Sequence, residues 1–589
     1  MSGISGKAFD FKIFNRILSY TKPYGKIFYS TLCLTILIAF ISPLRPWLVQ
    51  YTLDHYIIKP NTALLLQMTL VMLGLLILES ILQFFDTYLA NLLGQSVIKD
   101  MRVQLYRHLL QFRLKYFDNT AIGTLVTRAI SDIQTIADVF SQGFLEILGD
   151  VLKLVVVIVV MFVSDWRLTL ISLSTIPVLL FATYIFKNAI KSAFQQVRTQ
   201  VARLNAFVQE HISGMNIVQI FNREKEELQK FEKINAAHRE ANIKSIWHYS
   251  VFFPVVEILS SISIGLLIWI GAKEVLKDEF SLGSIIAFIM YINLLFRPIR
   301  QLADRFNTLQ MGMVSSERVF KILDTVEVIE NKGKLDASEI SGAIEFKNVS
   351  FAYEADNLVL KGISFQVKQG ETLALVGATG SGKSSIINLL NRFYEYNEGS
   401  ITIDGKAIRD YELGSLRQNI GVVLQDVFLF SDSIANNISL NNPDISLEEI
   451  KRAAEQVGAD QFIRNFPDDY QYNVMERGAT LSVGQRQLLS FIRAYVYNPK
   501  ILVLDEATSS IDTESEILIQ RATEVLTKNR TSIIIAHRLS TIQKADKILV
   551  LEQGKIIESG THSALMALNG HYKKLVDLQF KEEKQETLV

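Results

Sequence analysis

A chain of 589 residues is too long for one ordinary hydrophobic core, so at least two domains are expected. Lysine plus arginine and aspartate plus glutamate balance at 60 each, which gives no whole-chain reason to expect a nucleic-acid partner. The single cysteine, Cys33, excludes a disulfide framework or a cysteine-based metal site within one chain; in its apolar run it reads as a small buried residue.

The N-terminal stretch is charged, with Lys7, Lys12, Arg16, Lys22 and Lys26. The first apolar run begins near Ile27 and continues through Ser42-Pro43-Leu44-Arg45-Pro46 without a small-residue cleavage site. It therefore reads as a membrane helix rather than a cleaved signal. Six segments are long and apolar enough to span a bilayer, which takes about 20 residues at ~1.5 Å each. They lie near 27–49, 64–92, 143–164, 167–187, 251–273 and 283–303. The connections after the first, third and fifth are short.

Those after the second and fourth are long and basic. One carries Lys99, Arg102, Arg107, Arg113, Lys115 and Arg128; the other carries Lys187, Lys191, Arg198, Arg203, Arg223 and Lys225. The positive-inside tendency puts both, with the N-terminus, in the cytoplasm, and six spans return the chain there. Helical periodicity in Leu105, Leu109, Leu110 and Phe112, and in Val201, Leu204, Phe207 and Val208, predicts that the spans extend beyond the membrane as helices. Their tips, near 116–122 and 213–221, suit mechanical contact with a following domain. Within the spans, Glu79, Asp86, Glu146, Asp150, Lys153 and Glu257 are ionisable. Glu79 and Asp86 are seven apart and share a helix face. Such groups line a cavity or pair internally, as Asp150 could with Lys153 one turn on.

After Leu323 the apolar spans stop, and 324–342 reads as a polar linker. The alternating stretch 343–351 opens a new domain, in which strands and helices alternate, implying an α/β core with additional β elements. Residues 371–390, ETLALVGATGSGKSSIINLL, give a buried strand, a glycine-rich turn and a helix. This is G-x-x-x-x-G-K-[ST] in the setting a phosphate-binding loop needs. Gly377, Ala378, Thr379, Gly380, Ser381, Gly382, Lys383, Ser384 and Ser385 would surround the phosphates: backbone N–H groups turn inward, the helix start adds partial positive charge and Lys383 a full one. The domain binds a nucleoside triphosphate.

Other stretches accompany the loop in a fixed order. Tyr353 follows Val349-Ser350-Phe351; Gln425 lies in LQDVFLF; LSVGQ occupies 481–485 and ILVLDE 501–506; Ser509 to Asp512 follow, and His537 lies in IIIAHRLS. The two long connections add Phe117-Asp118, Gly123 and Arg128, then Glu210, Gly214, Val218 and Phe221. Over nearly the whole chain this set resembles half-size ABC transporters of the exporter type. The resemblance implies an all-α six-helix transmembrane domain (1–323) followed, after the linker, by an α/β P-loop ATPase domain of ABC type (343–580) and a polar tail (581–589).

It also implies roles. Tyr353 stacks on adenine. Asp505, delivered by a buried parallel-type strand, holds Mg²⁺ with Ser384 and Gln425. Glu506 orients and deprotonates the attacking water, and His537 hydrogen-bonds the γ-phosphate. Gln425 suits a sensor rather than a base, Asp512 belongs to the D-loop, and Glu476 is the acidic position facing the intracellular loops. Ser482, Gly484 and Gln485 form the signature that completes the ATP site of an opposite subunit, so a second half-transporter, the same chain or a paralogue, is required. One residue departs from the pattern: Val483 stands where the family has glycine, losing freedom for φ > 0 and adding bulk.

The expected activity is ATP-hydrolysis-driven export or flipping of a hydrophobic or amphipathic substrate, a drug, lipid or small peptide, with ATP and Mg²⁺ as cofactors. The absence of a peptidase-like N-terminal domain weakens a peptide-processing role. The expected location is the inner (cytoplasmic) membrane, multi-pass, in contact with membrane lipid, with both termini cytoplasmic. An ATP-gated channel or membrane sensor on the same machinery is the alternative.

Overall fold

A computed structural model of the chain describes residues 10–58, 61–277, 280–354, 357–505, 513–536 and 538–586. The chain divides into two compact units, Met1–Leu110 with Thr120–Val326, and Gln111–Asn119 with Glu327–Val589.

The first unit is helical. Its principal helices are α1 (Gly25–Ile41), α2 (Thr62–Leu109), α3 (Leu145–Ser164), α4 (Ile176–Ser213), α5 (Glu224–Val275) and α6 (Leu282–Leu323). Among the described residues, six helical segments are long and apolar enough to cross a membrane. The first is interrupted at Ser42-Pro43 and resumes as Leu44–Thr52, since proline supplies no N–H to continue the ladder. At 48 residues, α2 is about 72 Å long, more than twice the hydrocarbon thickness. The helical periodicity of the long connections therefore marks continuation of the same helices.

Helix starts are fixed by side chains. The Asn61 carboxamide accepts from Leu64 N at 3.2 Å, and Asp165 accepts from the Arg167 and Leu168 amides at 2.8 and 2.9 Å. Asp54 accepts from Ser281 Oγ at 2.6 Å and Gly283 N at 3.0 Å, tying the end of the first span to the start of α6. The intramembrane core gathers Leu179, Phe186, Phe252, Val256, Phe288, Tyr291 and Phe296. Cys33 is exposed, not buried. A span is apolar on every face, so an apolar run does not tell which of its residues point inward.

The second unit has two sheets. Strands β1 (Ile344–Ala352), β2 (Leu358–Val367), β3 (Thr372–Val376), β4 (Glu398–Ile403), β5 (Lys406–Ala407), β6 (Ile420–Val423), β7 (Ile501–Asp505), β8 (Thr531–Ile535), β9 (Lys547–Glu552) and β10 (Lys555–Gly560) follow in order. An antiparallel sheet runs β2-β1-β4-β5; the larger runs β10-β9-β3-β8-β7-β6, parallel except for β10. Period-two alternation divides its core. Ala374, Val376, Leu502, Leu504 and Ile534 face one hydrophobic cluster, while Leu373, Leu375, Val503, Ile533 and Ile535 face the other. Near-continuous apolar strands are what a sheet covered on both sides requires. Residues 331–337 are held to this unit: Leu335 N donates to Asp410 O at 3.0 Å and Ala337 N to Ser415 Oγ at 2.7 Å.

Candidate functional site

The strand order β3-β8-β7-β6 brings the C-terminal ends of four parallel strands side by side, the position where open α/β sheets bind ligands. Ile535 on β8 pairs with Leu375 on one side and Asp505 on the other, so Asp505 lies level with the root of the phosphate loop, about 10 Å across. Gln425 follows β6, whose Val423 pairs with Leu504. It is exposed one residue beyond the row of Asp505. Glu506 directly follows β7 in sequence and His537 follows Ala536; both, with Asp512, lie outside the described residues.

The loop has the form its glycines dictate. Gly382 takes φ +104° at the cap of helix α7 (Lys383–Leu390), a conformation side-chain-bearing residues avoid. A Cβ at Gly377 would run into the Leu551 carbonyl. Ala378, Thr379 and Gly380 form an exposed tip. Lys383 is 8% exposed, and its Nζ donates to Gly377 O at 2.6 Å and Ala378 O at 3.1 Å. Burial holds its pKa below the ordinary lysine value, with Asp505 pulling the other way. Burial raises the Asp505 carboxyl; Lys383 opposes this and Asp426 adds to it. No closed ion pair joins the two.

These groups fit a magnesium polyphosphate. The Ser381 hydroxyl is buried without a hydrogen-bond partner, a state that costs free energy until a ligand or water supplies one. Ser384 is exposed at the helix start. The donor set, a carboxylate, a hydroxyl and a carboxamide, is all oxygen, as Mg²⁺ prefers.

Tyr353 is half-buried beside the loop. Its hydroxyl lies 3.1 Å from Ser385 Oγ and accepts from Asn388 Nδ2 at 3.0 Å. Its ring meets Phe351 and Tyr394 edge-on, at centroid separations of 4.7 and 4.8 Å. Asn388 and Tyr394 escaped sequence reasoning, because neither belongs to a motif.

The signature opens helix α8 (Val483–Val496). Gln485 N donates to Ser482 Oγ at 3.2 Å and Ser482 N to Gln485 Oε1 at 3.0 Å, a reciprocal capping box. Val483 is the first helical residue and is not among the positive-φ positions. The expected loss of left-handed freedom therefore has no object here, and what valine adds is a side chain, 38% exposed, at the helix start. Glu476 is exposed between two residues of positive φ, Met475 at 59° and Arg477 at 55°.

In the helical unit, Glu79 accepts from Ser42 Oγ at 3.0 Å and Asp86 from Thr35 Oγ1 at 2.8 Å, so both carboxylates turn towards the first span. Asp150 is paired, but with Arg305 of α6 rather than with Lys153. Arg305 also meets Glu146 at 3.2 Å and Gln301 at 2.8 Å. A partner on another helix satisfies Asp150 better than one on its own turn.

Residues 27–299 match the family model for the ABC transporter transmembrane region, and residues 360–509 that for the ABC transporter. The chain is 39% identical over 577 residues to YknV of Bacillus subtilis (strain 168), an uncharacterized ABC transporter ATP-binding protein, covering 98% of this chain and 96% of the relative. It is 36% identical over 574 residues to the ATP-dependent lipid A-core flippase of Syntrophus aciditrophicus (strain SB), covering 97% and 95%. YgaD of Bacillus subtilis (strain 168), provisionally named a multidrug export ATP-binding/permease protein, is 36% identical over 576 residues, covering 96% and 99%.

Proposed function

The chain belongs to the ABC transporter family, among the half-size exporters, and from that premise we propose that it is one half of a dimeric ATP-driven exporter or flippase. The substrate is hydrophobic or amphipathic, a lipid or drug, in keeping with relatives named for lipid A-core flipping and multidrug export. The membrane is the cytoplasmic one, with both termini on the ATP side.

The observation that carries this reading is the convergence of Lys383 and Asp505 at the C-terminal edge of one parallel sheet. In this reading Lys383 exchanges its two loop carbonyls for phosphate oxygens. Ser384, Asp505 and Gln425 hold Mg²⁺, which neutralises phosphate charge. Glu506 takes the proton of the attacking water, and His537 bonds the γ-phosphate. Ser482 and the Gly484 amide, at the free start of α8, complete the site of the opposite protomer. Closure of the two ATP-binding domains favours the outward-facing cavity to the extent that ATP prefers the closed state. Hydrolysis resets it.

ATPase activity of the chain purified in lipid, beside its Glu506→Gln variant, tests this. Hydrolysis by the wild type and none by the variant is expected of a homodimer. Activity that arises only on adding a second half-transporter identifies a heterodimer. No activity under either condition overturns the proposal.

A further inference from the structure

Tyr353 directly follows β1, and the strand end that carries it is pinned. Ala352 N donates to the Asn397 carboxamide oxygen at 2.9 Å, and Asn397 N to Ser350 O at 3.0 Å. Beyond its ring contacts with Phe351 and Tyr394, Tyr353 sends its hydroxyl to two residues of α7, Ser385 and Asn388. These stand three apart in the helix and so share one face. Ser385 is 4% exposed and Asn388 is half-buried. Stacking on a base needs only the tyrosine ring, so the two bonds at its hydroxyl call for another explanation.

The donors decide which way this chain of bonds runs. A carboxamide nitrogen only donates, whereas a phenol oxygen carries one proton and two lone pairs. Asn388 Nδ2 donates to Tyr353 Oη at 3.0 Å. If Ser385 donated there as well, the half-buried Tyr353 proton would have no acceptor among the described residues. The arrangement that satisfies the tyrosine has it donate to Ser385 Oγ, 3.1 Å away. The proton left over then sits on Ser385, in the phosphate loop, where an anion supplies the acceptor. Hydroxyls that accept on one side and donate on the other polarise one another, which strengthens the last donor.

We propose that Asn388 is a positioning residue that sets the direction of a hydroxyl relay, from Asn388 through Tyr353 to Ser385, aiming the Ser385 proton at bound phosphate. Tyr353 thereby serves phosphate binding through its hydroxyl, independently of any base on its ring. The inference rests on the reading of Ser385 as a phosphate ligand. Asn388 acts through the tyrosine alone.

Equilibrium binding of magnesium tripolyphosphate, which has no base, and of MgATP to the full chain in lipid nanodiscs tests it, with Glu506→Gln as background to prevent turnover. Tyr353→Phe keeps the ring and is expected to weaken both ligands about fivefold, the equilibrium weight of one ordinary hydrogen bond. In Ser385→Ala the same tyrosine substitution should cost nothing further. Asn388→Asp places an acceptor where the donor stood and turns the relay round. It should weaken tripolyphosphate several-fold more when Tyr353 is present than in Tyr353→Phe, where only its charge is felt. Tripolyphosphate affinity unchanged in Tyr353→Phe overturns the proposal. So does a full fivefold loss that persists in Ser385→Ala, or an Asn388→Asp effect that is the same with and without the tyrosine hydroxyl. A background chain that binds MgATP but not tripolyphosphate overturns it too. A background chain that binds neither ligand instead removes the phosphate-site reading, and this proposal with it.

Discussion

Ser482 and Gln485 satisfy each other's backbone amides at the start of α8, at 3.2 and 3.0 Å. The signature serine thus has a structural duty in its own chain besides the one proposed for it across the dimer. The two duties can be separated. Ser482→Ala loses the cap, about 1 kcal/mol of stability, together with the hydroxyl offered to the phosphate. Aspartate caps as well as serine but sets a negative charge against a phosphate. Ser482→Asp is therefore expected to melt like the wild type while hydrolysing ATP about tenfold more slowly or worse, the weight of a lost hydrogen bond to a charged group. Thermal unfolding and ATPase rate on the same samples decide this; a variant that melts early and still hydrolyses normally would refute it.

Val483 occupies the first position of the same helix with an ordinary helical backbone, so Val483→Gly relieves no strain. It costs up to about 1 kcal/mol in helix propensity. What it removes is an exposed isopropyl group beside the free amides of the helix start. The expected outcome is a several-fold rise in ATPase rate with a slightly lower melting temperature. A rate unchanged or lowered would mean that valine is accommodated without obstruction.

The phosphate loop, the buried strand ending in Asp505 and the six apolar spans were legible in the sequence because each is local: a spacing, a run or a period. Relationships between distant residues were not. The Tyr394 hydroxyl donates to Asp118 from 276 positions away, and Arg305 meets Asp150 across two helices, so neither pair leaves a mark on any window of sequence. The Asp150–Lys153 pairing was the one a single helix suggests, and it lost to a guanidinium that a neighbouring helix presents. The backbone argument against Val483 failed for a related reason: a motif gives residue types, while φ depends on where the helix begins, and Ser482 starts it one residue earlier.

Glu79 and Asp86 each accept a single hydroxyl from the first span, at 3.0 and 2.8 Å, and neither forms an ion pair with a described residue. In a membrane segment such carboxylates mark a polar pathway. Glu79→Gln with Asp86→Asn keeps both acceptors for Ser42 and Thr35 and removes only the charge. Transport of cationic amphiphiles into inverted vesicles is expected to fall several-fold, with neutral compounds unaffected. Equal losses for both classes would refute a charge-selective role.

His211, near the end of α4, donates from Nε2 to the Glu227 carboxylate of α5 at 2.8 Å; its ring stacks on Phe207, and Lys230 Nζ donates to the other carboxylate oxygen at 2.7 Å. The bond to the Phe207 carbonyl, then Glu227, raises the His211 pKa above 6.5, with Glu210 adding to the field. Lys230, then His211, lowers that of Glu227 below 4.5. A raised histidine pKa stabilises the hairpin fully below the unfolded value, and the contribution is lost as pH rises through the folded one. The depressed carboxylate contributes above its unfolded value and is lost as pH falls through the folded one. The pair is therefore strongest between the unfolded glutamate and histidine values, and weakens above neutrality. Amide exchange over residues 207–227 should be slower at pH 6 than at pH 8 after correction for intrinsic rates, and Glu227→Gln should remove most of that difference. A pH dependence that survives the substitution would place the titrating group elsewhere.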